Sequence, residues 1–301
     1  MDYDAIIRSA WDICRKNRFF WVLGILGGAS AAAPGNVIGS FAAGIANIIG
    51  QGRSASAAMS DPGQTARVVV VGLLGLLAVL LVGLFFYCMM AFRAALIDGV
   101  AQSVEGKILG FRSAFGRGRL WVWKLLGLSL YLWLWMALGA LAMGVVILGA
   151  WFFLGWAVGV VLAGALAVVA LVLLAFISLL NEVAARALIL DGKGIRASVT
   201  AAITVMRAKK SEIAVLWAIS LGLGTAMGLG ILCVLLLPAI LLGGIGWLIA
   251  SFAGTIAVLV YAVPVGLAFT LSAALLFGFG GAFVSAFWTL GYRELERTHG
   301  K

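Results

Sequence analysis

Asn181, Glu182 and Arg186 form the least ordinary polar group in a chain that otherwise offers little to chemistry. Glu182 and Arg186 stand four residues apart, a spacing that puts them on one side of a helix, where carboxylate and guanidinium can pair. Arg93 holds the equivalent place at the end of the preceding apolar hairpin and reaches Glu182 if the two hairpins lie side by side. Such a cluster suits two tasks. As a gate or ion-binding shell it would meet a charged solute at the membrane surface; as a charged knot it would pin helix ends and enforce their orientation. The second reading is favoured, because these residues fall near the end of a span, where long side chains reach water cheaply. Asp98 and Asp191, each followed by glycine, are expected to cap or terminate their helices.

Elsewhere the groups that catalysis needs are scattered. His299 is the one histidine and falls near the end of the chain, while Cys14, Cys88 and Cys233 are isolated, with no Cys-x-x-Cys or Cys/His spacing for zinc, haem or an iron–sulfur cluster. Serine in a Gly-x-Ser-x-Gly setting, a phosphate loop and a dinucleotide fingerprint are all missing, and the glycines of Gly222–Gly228 fall inside an apolar run. The expectation is therefore a protein that is not an enzyme and carries no cofactor. Tyr131, Trp133 and Trp135 lie deep enough to touch a quinone, pigment or lipid, but helix packing and lipid contact are the commoner uses of such aromatics.

The elements that must position these residues are membrane helices. Of 301 residues, 64% are apolar and 11% charged, and the mean hydropathy is +1.17. Soluble domains are about half apolar and a quarter charged. Crossing ~30 Å of hydrocarbon takes about 20 helical residues. Val68 to Ile97 supplies one such stretch and Phe19 to Ala33, completed by residues upstream of it, another; a weakly polar run from Val37 to Gly50 would count only in a less favoured eight-span version. Leu125 to Leu180 has 56 residues without a charge, enough for a hairpin with its turn near Gly149 to Gly159. Ile213 to Tyr292 is also uncharged, with Pro238, Gly243-Gly244 and Pro264 as candidate breaks.

Charge placement sets the count. Nineteen of the 21 Lys and Arg residues fall in four groups (8–18, 93–124, 186–210 and 293–301), leaving Arg53 and Arg67 in another connection. Basic short loops mark the cytoplasmic side, so both termini are expected there, in a cell inner (cytoplasmic) membrane, with six spans. Leu241 to Val263 is then expected as an outer-face or re-entrant piece. The net charge of +10 is accounted for by this topology, and nucleic acid is not expected as a partner. Arg15 to Arg18 followed by Phe19 to Gly28 and Ala29 to Ala33 has the outline of a secretory signal, read here as a retained first span because an amphipathic segment precedes it.

The same unit is written three times, over approximately 1–98, 99–190 and 191–301, within one polytopic domain. Arg8-Ser9-Ala10-Trp11 corresponds to Arg112-Ser113-Ala114-Phe115, and Arg93 to Gly99 corresponds to Arg186 to Gly192 at a constant shift of 93 residues. The fold class expected is an all-α integral membrane protein: six transmembrane helices as three parallel hairpin repeats, each preceded by a basic amphipathic interfacial helix. Apolar stripes run through Ile7, Trp11 and Cys14, through Val104, Ile108, Phe111 and Phe115, and through Ile195, Val199, Ala202 and Met206. Arg15, Lys16, Arg18, Lys107, Arg112, Arg117, Lys193, Arg196, Lys209 and Lys210 accompany them as candidate lipid-headgroup contacts. The segments serve either as a lipid-sensing or docking collar or, as favoured here, as elbows that orient the spans. Small residues at Gly24/Gly28, Gly155/Gly159, Gly224/Gly228 and Gly278/Ala282 would let helices approach closely.

Trp11 with Arg15 to Trp21, the amphipathic-to-hairpin units and the two Arg-to-Asp hairpin ends resemble a group of prokaryotic polytopic membrane proteins, related to the non-catalytic membrane domain attached to some glycerophosphodiester phosphodiesterases. The resemblance implies a membrane domain without catalysis, since the phosphodiesterase domain with its His and acidic residues is absent from this chain. The function expected is a membrane scaffold, accessory or assembly subunit associated with membrane lipids and with an integral membrane partner or a second copy. A lipid or small-solute transporter is the alternative. A continuous polar cavity at Arg93, Asn181 and Glu182 would favour transport; a dry centre with apolar outer grooves would favour the scaffold.

Overall fold

The computed structural model describes residues 1–27, 62–107 and 110–299, and all of its regular structure is helical. The helices are α1 (Tyr3–Lys16), α2 (Phe19–Gly27), α3 (Pro62–Val104), α4 (Phe111–Leu154), α5 (Trp156–Leu190), α6 (Ile195–Ala208) and α7 (Lys210–His299). Among the described residues, five helical stretches are long and apolar enough to cross a membrane: Gly75–Val104, Phe111–Phe153, Trp156–Leu190, Lys210–Phe252 and Val260–Arg297. The run at 37–50, Gly28, the alanine cluster at 29–33, Arg53 and Ile108 lie outside the described residues.

Local chemistry starts and stops these helices. Asp2 accepts from the Ala5 N–H at the start of α1, and Asn17 closes that helix by donating both its backbone N–H and its Nδ2 to the Ile13 carbonyl. Gly155 (φ +87°) makes the sharp turn between α4 and α5, inside the stretch expected from the sequence. Helix α5 ends at Asp191, whose N–H donates to the Ala187 carbonyl, and Gly192 then takes a left-handed conformation (φ +67°). Asp98 behaves differently from its counterpart. Helix α3 runs past it to Val104, because Val100 and Ala101 extend the buried face and Gln102 Nε2 donates to Asp98 Oδ2 at 2.7 Å.

The last helix reverses on itself. Its 90 residues would extend about 135 Å if straight, yet Gly291 sits against Leu216, Gly280 against Met227 and Ile231, and Gly246 against the Tyr261 ring. These pairs define two antiparallel arms, Lys210–Phe252 and Val260–Arg297. Leu241 to Val263 is helical and continuous with both arms, and lies at their end farthest from the base. Pro238 and Gly243-Gly244 are absorbed into the first arm, and Tyr261 Oη, from the second, donates to the Leu242 carbonyl at 3.0 Å.

The amphipathic segments also depart from expectation. Helices α1 and α6 are separate, whereas the second basic segment, with Arg112 and Arg117, is the opening of the 44-residue α4. The stripe from Val104 to Phe115 is interrupted at Gly106 (φ +75°), so it occupies no single helix. Val199, Ala202 and Met206 are buried against protein rather than left for lipid, and in α1 the buried positions are Ile6, Ala10 and Cys14. Trp11 is 44% exposed but meets Phe279 and Phe283 edge-on at 5.0 and 5.8 Å.

Burial is concentrated at one end of the molecule, with Ala150 and Gly159 beside the α4–α5 turn and Ile231 on α7 buried away from it. The core gathers residues from α1, α2, the last third of α3, the first half of α4, the end of α5, the inner face of α6 and the two ends of α7. Among the described residues, none in 72–88, 133–149, 160–179 or 232–277 is buried. Close crossings tie the base together, one of them where Gly27 on α2 meets the backbone of Phe92 and Arg93 on α3. A Cβ on Gly24 or Gly278 would collide with backbone of the facing helix, and Gly118 lies equally close to Ala91 and Ala95. The Gly224/Gly228 pair faces open space instead, and Gly155 serves the turn.

Candidate functional site

The polar group at the centre of the base is built from three helices. Arg93 on α3 donates from Nη2 to Glu182 Oε1 at 2.8 Å, across 89 residues of sequence. Arg186, one turn after Glu182 on α5, donates from Nη1 to Glu182 Oε2 at 2.5 Å and to the Glu182 carbonyl at 2.7 Å. Its Nη2 donates to the Ser285 carbonyl on α7 at 3.3 Å, and its guanidinium lies 5.7 Å from the centre of the Trp288 ring. One carboxylate therefore spans two guanidiniums, and one of those fixes a third helix.

Side-chain exposure is 4% for Arg93, 11% for Glu182 and 1% for Arg186. Water is largely excluded, which strengthens each contact and makes loss of any partner costly. The cluster carries a net formal charge of +1, and Arg186 Nε is buried with no hydrogen-bond partner. Asn181, grouped with these residues by sequence, does not join them: its Oδ1 is buried without a hydrogen-bond partner.

Around this knot the charged ends of the helices are cross-linked. Glu105 accepts from Lys107 and from Arg293 at 2.9 Å each, tying the end of α3 to the end of α7. Those two hydrogen bonds, Lys107 first, hold its carboxyl below the usual glutamate range. Arg117 lies 3.8 Å from Asp98, and Lys209 lies 3.5 Å from Glu212. Tyr292 Oη lies 3.1 Å from Asp191 Oδ2 and 3.0 Å from Glu296 Oε1, while Lys193 donates to the same Asp191 oxygen at 2.6 Å. Sequence reading missed Tyr292 and Glu296, since their partner lies 101 residues away; their i, i+4 spacing was the available signal.

The candidate headgroup contacts line this end. Arg15, Lys16, Arg18, Arg112, Arg117, Arg196 and Lys210 are exposed; Lys193 and Lys209 are half-buried; and Lys107 is exposed while pairing with Glu105. Lys124 stands 4.7 Å over the Trp121 ring. Of the deeper aromatics, Trp135 is exposed, while Tyr131 and Trp133 are half-buried and Tyr131 meets Trp135 edge-on at 6.5 Å.

The fold is all-α, with a charged base and several helices long and apolar enough to span a membrane, consistent with a multi-pass membrane protein. No family model matches the chain, and no curated protein or solved structure gives a significant match.

Proposed function

We propose that the protein is a non-catalytic membrane scaffold, accessory or assembly subunit of a cell inner membrane, with six spans arranged as three parallel hairpins. Helix α2 belongs to the first hairpin and α3 completes it; α4 with α5, and the two arms of α7, make the others. Both termini and the basic elbows lie on the cytoplasmic side in this reading, following the excess of Lys and Arg at the base. The relation to the membrane domain attached to phosphodiesterases belongs to the same proposal.

The observation that carries it is how little of the distal arms is buried: among the described residues, only Ala150, Gly159 and Ile231 interrupt long stretches with none. From 160 to 179 and from 133 to 149 the helices rise about 30 and 25 Å, close to the hydrocarbon thickness, with apolar side chains facing outward. A domain that completes its own core at the base and leaves its membrane arms uncovered presents surface to other hydrophobic molecules. The sealed Arg93–Glu182–Arg186 knot supports this over transport, which needs a polar route rather than a closed ion cluster.

The test is native mass spectrometry of the protein extracted in native lipid discs, with identification of co-purifying proteins and lipids. A protein partner at fixed stoichiometry, lost when Leu171→Trp and Leu236→Trp bulk out the arms, is the expected result. A monomer or homo-oligomer holding one selectively retained solute would overturn the scaffold and install the transporter.

A further inference from the structure

A second site lies at the rim of the base, between α6 and the end of α7. A cleft of about 630 Å³ opens there, with Lys193 at one end and Tyr292 and Glu296 on the wall opposite α6. The α6 wall is apolar despite its sequence. Ala197 and Ala201, four residues apart, present methyl groups, and the Thr200 and Thr204 hydroxyls donate to the carbonyls of Arg196 and Thr200, one turn back on the same helix, at 3.0 and 2.9 Å.

The opposite wall has more acceptors than donors. Tyr292 Oη stands between the Asp191 and Glu296 carboxyl groups with one proton to give, the two carboxyl groups also lie against each other, and Lys193 donates to Asp191. Lys193, with its side chain 39% exposed, keeps further N–H groups for an anion. An occupant that matches this arrangement brings several N–H donors to Glu296, a negative group to Lys193 and an apolar body to the α6 wall.

We propose that the cleft binds a membrane phospholipid whose headgroup carries a primary ammonium next to its phosphate, as in phosphatidylethanolamine. The ammonium donates to Glu296, the phosphate accepts from Lys193, and the glycerol and first acyl carbons lie along Ala197 and Ala201. A trimethylated headgroup has no N–H to donate, and the Tyr292 ring, in a residue 2% exposed, offers it no aromatic face. An anionic headgroup without an amine would satisfy Lys193 and leave Glu296 facing a like charge. This site is independent of the scaffold reading, because it is filled from the bilayer whether or not a protein partner is present.

The test reconstitutes the purified full chain into discs of equal parts phosphatidylethanolamine, phosphatidylcholine and phosphatidylglycerol, and counts lipids retained on gentle release in native mass spectra. The wild type should retain the ethanolamine lipid over the choline lipid by about fivefold, equivalent to ~1 kcal/mol. Glu296→Gln should bring the ratio near parity, and Ala201→Phe, which fills the cleft from its apolar side, should do the same without altering charge. Equal retention of the three lipids by the wild type overturns the proposal, as does preference for phosphatidylglycerol or a Glu296→Gln variant that keeps the full enrichment. Should Glu296→Gln fail to fold, Ala201→Phe decides alone.

Discussion

At the residue scale, Glu182 is the side chain on which the base depends, because its two oxygens serve guanidiniums from different helices. Glu182→Gln keeps the shape and removes the charge, leaving Arg93 and Arg186 buried and facing each other. A loss of about 3–5 kcal/mol is expected, read as a lowered midpoint in reversible unfolding of the detergent-solubilised protein. Replacing all three together, as Arg93→Met, Glu182→Leu and Arg186→Met, should recover most of that loss, since a well-packed apolar set avoids the desolvation that the ions incur. Failure of the triple variant to recover would mean that the charges specify the fold rather than merely offset one another. Cys14 makes a pH-dependent case. It is fully buried on α1, and burial pushes its thiol from an ordinary 9.0 up to about 12. The folded state therefore favours the neutral thiol. Its stabilising effect is complete below about pH 9, and is lost as pH rises from there toward 12. In a Cys88→Ala, Cys233→Ala background, maleimide should label Cys14 slowly at pH 8 in the folded protein and rapidly after unfolding. Fast labelling of the folded protein would show that α1 detaches from the base.

At the element scale, two glycines that look equivalent in sequence have different structural duties. Gly192 ends α5 at φ +67°, so Gly192→Ala should cost about 1–2 kcal/mol through the left-handed backbone alone. Gly99, 93 residues earlier, is helical and abuts the Phe20 ring edge, so its substitution is opposed by a side chain rather than by backbone. The Arg-to-Asp correspondence was legible because ionic side chains are scarce in this chain and their spacing stands out. The different helix endings were not, because they depend on the residues beyond each Asp-Gly pair: Val100 and Ala101 continue a buried face, whereas Lys193 and Gly194 cannot. Apolar stripes were legible as stripes, but hydrophobicity alone does not distinguish a face packed on protein from one bathed in lipid. A stripe by itself therefore gives Val199 and Met206 to lipid, although they pack on the core. Glycine spacing was ambiguous for a similar reason, since a small residue matters only where another helix arrives. Gly278→Leu should destabilise by at least about 1–3 kcal/mol through collision with α2, while Gly224→Leu, facing open space, should be near neutral. Comparing their unfolding midpoints measures the α2–α7 crossing directly. Equal effects would place that crossing elsewhere.

At the scale of the whole molecule, the concentration of burial at one end sets what the rest can do. A soluble protein could not leave Leu171, Leu236, Leu237 and Phe252 more than half exposed along arms of this length, whereas acyl chains cover such surfaces without any loss of solvation. Within the bilayer there is also no hydrophobic force drawing one hairpin to the next. The few close contacts among the arms are therefore compatible with a stable protein so long as the base holds, and the ion pairs and glycine crossings are concentrated there. Tryptophan fluorescence reports on this division. Trp247 on the first arm of α7 is 70% exposed, whereas Trp288 near the base is 5% exposed and lies over Arg186. In single-tryptophan variants reconstituted without other proteins, lipids brominated on their acyl chains should quench Trp247 strongly and Trp288 weakly. If the protein is the scaffold proposed above, partner binding should then protect Trp247 while leaving Trp288 unchanged, because that proposal has the partner meet the arms and not the base. If Trp247 is already shielded in the isolated protein, the arms close on one another or on a second copy. The surface left for a partner would then be confined to the charged base.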